Sequence, residues 1–147
     1  NVQFIWQTGK YYNAEMNKAV SDFGEIPNLK VLDFITDMGA AYNAADLVIS
    51  RAGASSISEF CLIGKPVILV PSPNVAEDHQ TKNAMALVNK DAAVYVKDSE
   101  APEMLLKRAL EIVNDNAKLE SLSTNIKKLG LPNSADVIAD EVLKLVR

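Results

Sequence analysis

Two stretches of this 147-residue chain combine residue types and spacing suited to holding an anion and a polyhydroxylated ligand. The first reads Arg51-Ala52-Gly53-Ala54-Ser55-Ser56, with Glu59 three residues further on. Small side chains let a ligand approach the main chain, and the first N–H groups of a following helix, at its positive end, favour an anion. A diphosphate cradle is one reading of this loop. The other is that Ser56 and Glu59 form a Ser-x-x-Glu capping box while Gly53 turns the chain, and the two roles are compatible. The loop contains neither the Gly-x4-Gly-Lys-Ser/Thr pattern of a P-loop nor the Gly-x-Gly-x-x-Gly dinucleotide fingerprint.

The second stretch, Pro71-Ser72-Pro73-Asn74-Val75-Ala76-Glu77-Asp78-His79-Gln80, is long and rich in turn residues, as functional loops often are. Asp78, His79, Gln80 and the nearby Asn83 offer many hydrogen-bonding groups, which suits a sugar. His79 is the single histidine in the chain, so a zinc site has too few ligands of suitable spacing. An Asp78/His79 catalytic pair is disfavoured because adjacent side chains point apart and no Gly-x-Ser-x-Gly elbow occurs. His79 also fits a plain polar residue at a helix entrance. Two further loops carry polar residues. Thr36 or Asp37 is placed to cap a helix at Met38, and Gln7-Thr8-Gly9-Lys10 can turn closely with Lys10 in solvent.

These loops need a frame that presents them together. Short β-rich runs cover Val2 to Trp6, Lys30 to Ile35, Leu47 to Ser50, Val67 to Val70 and Ala93 to Val96. Between them lie helical patterns at Tyr11 to Ser21, Met38 to Ala45, Ser56 to Ile63 and Gln80 to Asn89, with apolar residues at offsets of three and four. The alternation predicts βα units feeding a parallel sheet, with the continuously apolar middle runs as strands covered on both faces. Helices then follow without strands, at Ala101 to Asn114, Ala117 to Leu129 and Ser134 to Val146, with Gly130 and Pro132 marking a turn before the last. The fold expected is a doubly wound α/β domain with a helical tail, whose ligands bind at the carboxyl ends of the strands.

Composition narrows the partners. Apolar residues make up 48% of the chain, enough for one continuous core. A formal charge of -4 argues against long nucleic acid as a partner, while a single diphosphate remains compatible. The lone Cys61 excludes an intrachain disulfide and fits a reducing, cytoplasmic setting. The longest apolar runs fall far short of the roughly 20 residues that span a bilayer. The opening Asn1-Val2, without an initiator methionine or a cleavable segment, reads as that of an excised fragment or a processed product.

Taken in order, Asp33-Phe34-Ile35-Thr36-Asp37-Met38, then Ala45 through Ala54 with Ser58-Glu59, then Gly64-Lys65-Pro66-Val67-Ile68-Leu69-Val70-Pro71, then His79-Gln80-Thr81-Lys82-Asn83-Ala84 resemble the donor-binding half of the GT-B glycosyltransferases of family 28. The match covers nearly the whole chain. It implies a parent enzyme that moves N-acetylglucosamine from UDP to lipid I, forming lipid II with inversion and with no metal or other cofactor. It also implies that Ile35 offers a backbone contact to the uracil edge, with Met38 near the base and Glu59 accepting from the ribose hydroxyls. Arg51, Gly53, Ala54, Ser55 and Ser56 would lie at the diphosphate. Gln80 matches a glutamine that touches the donor sugar, and His79 stands where the family often has glutamine.

The same resemblance puts the general base and the membrane-binding surface in another domain, on the cytoplasmic face of the bacterial inner membrane, and leaves this fragment inactive alone. A split dolichol-linked N-acetylglucosamine transferase and a non-catalytic UDP-sugar binding module are the alternatives. The family's first βα unit, a strand ending in a Gly-Gly-Ser type loop and its helix, is not found ahead of Val2. A doubly wound sheet lacking that central strand would expose the Val2 to Trp6 and Leu47 to Ser50 runs along one edge each. The expected outcome is a sheet rearranged at this seam or a fragment dimer that fills it, with Lys30 to Ile35 beside Val2 to Trp6.

Overall fold

A computed structural model describes residues 2–73 and 78–146. Residues 74–77, in the middle of the long turn-rich loop, lie outside the described residues, as does Asn1. The chain divides into two compact units, Asn1–Ala45 and Asp46–Arg147.

In the first unit, β1 (Phe4–Gln7) and β2 (Leu29–Leu32) pair in parallel, with Phe4 opposite Leu29 and Gln7 opposite Leu32. Parallel pairing requires a crossover, supplied by α1 (Asn13–Asp22). The expected strand at Lys30 to Ile35 stops early because its later N–H groups find side-chain partners. Past Leu32 the backbone N–H groups turn to side chains, Phe34 donating to Asp33 Oδ1 at 2.8 Å and Ile35 to Gln7 Oε1 at 2.8 Å. Next, α2 (Met38–Ala44) begins where the sequence placed it, and Asp37 is the residue that caps it, accepting from the Ala40 N–H at 2.8 Å. No described residue of this unit is fully buried.

The second unit holds β3 (Val48–Ser50), α3 (Ala54–Ile63), β4 (Val67–Leu69), α4 (His79–Val88) and β5 (Val94–Tyr95), followed by α5 (Ala101–Val113), α6 (Asn116–Lys127) and α7 (Ser134–Lys144). Its strands run in the order β3-β4-β5, all parallel. The apolar run at Val67 to Val70 is the central strand it promised to be, since Val67, Ile68 and Leu69 are fully buried and each contributes about 1.5 to 3 kcal/mol by leaving water. Ile68 and Val70 join Val96, Ala109, Ile112 and Leu122 in one core cluster, so the helical tail covers the sheet through α5 and α6. Gly64 ends α3 in the left-handed region, with φ of 70°, which a side chain would resist. On the same side of α3, Ser123 of α6 donates to the Gly64 carbonyl at 2.7 Å.

The parallel α/β architecture with a helical tail is thus as read from the sequence, but hydrogen bonding divides the strands into two sheets, β1-β2 and β3-β4-β5. β2 does lie beside β1, as expected. Within their own units, Ile5 and Trp6 on β1 and Ile49 on β3 are exposed, at 54%, 41% and 42%.

Candidate functional site

Each unit carries its candidate residues in loops that leave the carboxyl ends of its strands. In the first unit, Ile35 is half-buried in the loop between β2 and α2, and Met38 opens α2. Gln7, at the end of β1, fixes the Ile35 backbone by accepting its N–H. That role was missed in the sequence, where Gln7 read only as part of a tight turn. The turn itself is present, with Gly9 at φ of 76°.

In the second unit, α3 starts at Ala54, two residues ahead of the sequence reading, with Gly53 as its N-cap in extended backbone. Ser56 is therefore inside the first turn, and the capping box it would have formed with Glu59 as N-cap does not exist. The physical reason lies in Gly53, whose extended geometry lets the chain enter the helix directly, and Ile57 N–H already bonds the Gly53 carbonyl at 3.0 Å. No side chain caps this end. The N–H groups of Ala54, Ser55 and Ser56 thus stand at the positive terminus of a ten-residue helix without a carboxylate or hydroxyl cap. Glu59 is exposed on the second turn.

This helix entrance is held by its neighbours. Ala52 is fully buried, and both of its peptide groups are engaged from α4: its N–H donates to Gln80 Oε1 at 3.2 Å, and its carbonyl accepts from Asn83 Nδ2 at 3.1 Å. The same Gln80 oxygen accepts the Ser72 N–H at 2.9 Å, from the loop after β4. Two N–H donors converging on one atom identify it as the amide oxygen, which leaves the donor nitrogen Nε2 as the other end of Gln80. The sequence reading found Gln80 and Asn83 as sugar-facing candidates but not this bracing of the small-residue loop. His79, exposed, is the first residue of α4, entered through Asp78 in the left-handed region at φ of 56°.

Arg51 makes a third set of ties. Its Nη1 donates to the Val70 carbonyl at 3.2 Å and the Pro71 carbonyl at 3.5 Å, and forms an ion pair with Asp98. Asp98 opens a 3-10 turn, Asp98–Glu100, in the loop after β5, and nothing in the sequence drew attention to it. The loops after β3, β4 and β5 are therefore joined through Arg51, Gln80 and Asn83. Among the described residues no group of three or more His, Cys, Asp or Glu is assembled that could hold a metal ion. No helix among them is long and apolar enough to cross a membrane.

Comparison with known proteins supplies the context for this arrangement. The family described as the glycosyltransferase family 28 C-terminal domain matches residues 1–138. The UDP-N-acetylglucosamine--N-acetylmuramyl-(pentapeptide) pyrophosphoryl-undecaprenol N-acetylglucosamine transferase of Bacteroides fragilis is 69% identical over the whole chain, and that of Bacteroides thetaiotaomicron is 68% identical over 99% of it. In both cases the chain spans 39% of the relative's length. Among solved structures, the crystal structure of Acinetobacter baumannii MurG superposes with a TM-score of 0.82 at 30% identity, over 95% of this chain and 42% of that one.

Proposed function

The chain belongs to the glycosyltransferase family 28 C-terminal domain family, and from that premise we propose that it is the donor-binding part of an enzyme that transfers N-acetylglucosamine from UDP to lipid I, forming lipid II. The observation that carries this reading is the entrance to α3, where Gly53 opens a helix with no side-chain cap behind a buried, doubly hydrogen-bonded Ala52. Departure of UDP builds negative charge on its diphosphate, and the N–H groups of Ala54, Ser55 and Ser56 at a fixed helix terminus stabilise that charge without a metal. Arg51 stands at the edge of this cradle. Glu59, exposed one turn further on, accepts from the ribose diol. Ile35 meets the uracil edge through its backbone, with Met38 beside the base. Gln80, whose oxygen is committed to Ala52 and Ser72, turns its Nε2 donor to the sugar, with His79 alongside.

In this reading the general base that activates the acceptor hydroxyl, and the surface that meets the lipid carrier, are supplied from outside these 147 residues. The parent enzyme works peripherally at the cytoplasmic face of the bacterial inner membrane. The chain alone binds donor but does not complete the transfer, because it cannot position both substrates. Standing alone, it pairs with a second copy along the open edges of β1 and β3, which among the described residues pair with β2 and β4 respectively. Calorimetry with UDP, UDP-N-acetylglucosamine and other UDP-sugars tests the donor, turnover of a lipid I analogue tests the reaction, and light scattering tests the pairing. Failure to bind any UDP-sugar, or robust transfer by the isolated chain, would contradict the assignment.

A further inference from the structure

The ladder of the second unit ends on two backbone bonds, Val70 N–H to the Ser50 carbonyl at 2.9 Å and Val96 N–H to the Leu69 carbonyl at 3.0 Å. Beyond them the sheet continues as one rung of side chains. Arg51 follows Ser50 directly, reaches across the Val70 and Pro71 carbonyls, and ends on Asp98, two residues past the buried Val96. We infer that Asp98 is a positioning residue of the donor site, which through Arg51 ties the loops after three strands together and so sets the direction in which the helix entrance at Gly53 faces. The inference rests on the donor-binding reading above.

Two features support a positioning role over a stabilising or ligating one. The Arg51 and Asp98 side chains are 56% and 35% exposed, and ion pairs so open to water add little to stability. A guanidinium nitrogen carries two hydrogens, and Nη1 already has a carboxylate and two carbonyls within reach, the Pro71 contact at 3.5 Å being the weakest. That face of Arg51 is committed to protein acceptors, with its charge balanced by Asp98. What Arg51 controls is the peptide that follows it, because Ala52 is gripped from the other side by Gln80 and Asn83. With both grips in place, the N–H groups beyond Gly53 have one orientation.

The test compares Asp98→Ala, Asp98→Asn, Arg51→Ala and the Arg51→Ala/Asp98→Ala double variant on the full chain. Affinities for UDP and uridine are measured by calorimetry, melting temperature by scanning calorimetry, and amide exchange at Ala52 to Ser56 by NMR. Asp98→Ala should weaken UDP by about three- to tenfold, the scale of one misplaced hydrogen bond, while uridine changes little. Arg51→Ala should lose the same factor and the double variant no more, since both remove one device. Asp98→Asn keeps an acceptor and should recover most of the affinity. The Asp98→Ala melting temperature should stay close to the parent's, and exchange should quicken at Ala52 to Ser56 alone. A much larger loss in Arg51→Ala than in Asp98→Ala, or tighter UDP binding in Asp98→Ala, would show Arg51 to be a phosphate ligand that Asp98 restrains, and would overturn the inference. If the parent chain binds no UDP, the donor reading fails. The exchange measurement then still decides: unchanged rates in Asp98→Ala reject the positioning role.

Discussion

Replacing Gln80 separates its two ends. Its Oε1 accepts the N–H of Ala52, which is fully buried, and that of Ser72, which is half-buried. Gln80→Ala strands the first donor out of reach of water, at a cost of about 1 to 3 kcal/mol, and returns the second to solvent for about 0.5 to 1 kcal/mol. The sum, about 1.5 to 4 kcal/mol, corresponds to a melting temperature lower by roughly 3 to 16 °C for a chain of this size. Gln80→Glu should behave differently. A carboxylate accepts both N–H groups at least as well, and partial burial keeps its desolvation modest, so stability should stay within about 1 kcal/mol of the parent. The substitution also removes the Nε2 donor and sets a negative charge beside the diphosphate cradle, so UDP should weaken and UDP-N-acetylglucosamine should lose about two- to twelvefold more than UDP does. Thermal unfolding paired with calorimetry on both ligands reads the two effects. If Gln80→Glu melts as low as Gln80→Ala, the oxygen does not brace the loops, and if both ligands weaken equally, the nitrogen does not face the sugar.

Four further outcomes follow from the same structure. Glu59→Gln should lower UDP affinity by about tenfold to 150-fold, and unaltered affinity would remove Glu59 from the ribose. Gly130→Ala should destabilise by about 1 to 3 kcal/mol, because a Cβ there would lie 2.8 Å from the Cys61 carbonyl oxygen, a backbone atom that cannot swing aside; an unchanged denaturation midpoint would refute this. Burial pushes the Cys61 thiol above its ordinary pKa, so the stability it contributes is intact at neutral pH and lost as pH rises through the raised value. Melting curves from neutral to alkaline pH should show that decline, and Cys61→Ala should flatten it. Native-state hydrogen exchange should be slowest in β4, which is buried and paired on both sides, and faster throughout β1 and β2, whose unit buries no described residue completely; equal protection would contradict that ordering.

What was legible in the sequence follows from how local each signal is. The run from Val67 to Val70 announced a central strand because a strand covered on both faces needs apolar residues at every position. Thr36-Asp37 announced the start of α2, because a cap acts on its own few residues. The errors arose where two local rules competed or a distant side chain intervened. Ser56 with Glu59 satisfied a capping pattern, yet the extended Gly53 backbone started the helix before that pattern could operate. The run at Lys30 to Ile35 had strand composition to its end, but Asp33 and Gln7 took the N–H groups of Phe34 and Ile35 away from any ladder.

The candidate site divides along the same line. Its small residues were visible because close approach to a main chain demands them wherever they occur, and Gly53, Ala54, Ser55 and Ser56 sit in one short stretch. Its bracing was invisible because Asp98 meets Arg51 across 47 positions and Asn83 meets Ala52 across 31, distances that only the topology of parallel strands closes. A loop of small residues has few side-chain atoms with which to hold itself, so its shape must be imposed by polar groups elsewhere. Gln80 shows why such groups were read as ligand contacts alone: an amide has an accepting end and a donating end, and composition cannot tell which one the scaffold has claimed. Once the oxygen is assigned to Ala52 and Ser72, only a donor remains to offer a sugar, and that ties the choice of ligand atoms at this position to the packing of the loop behind it.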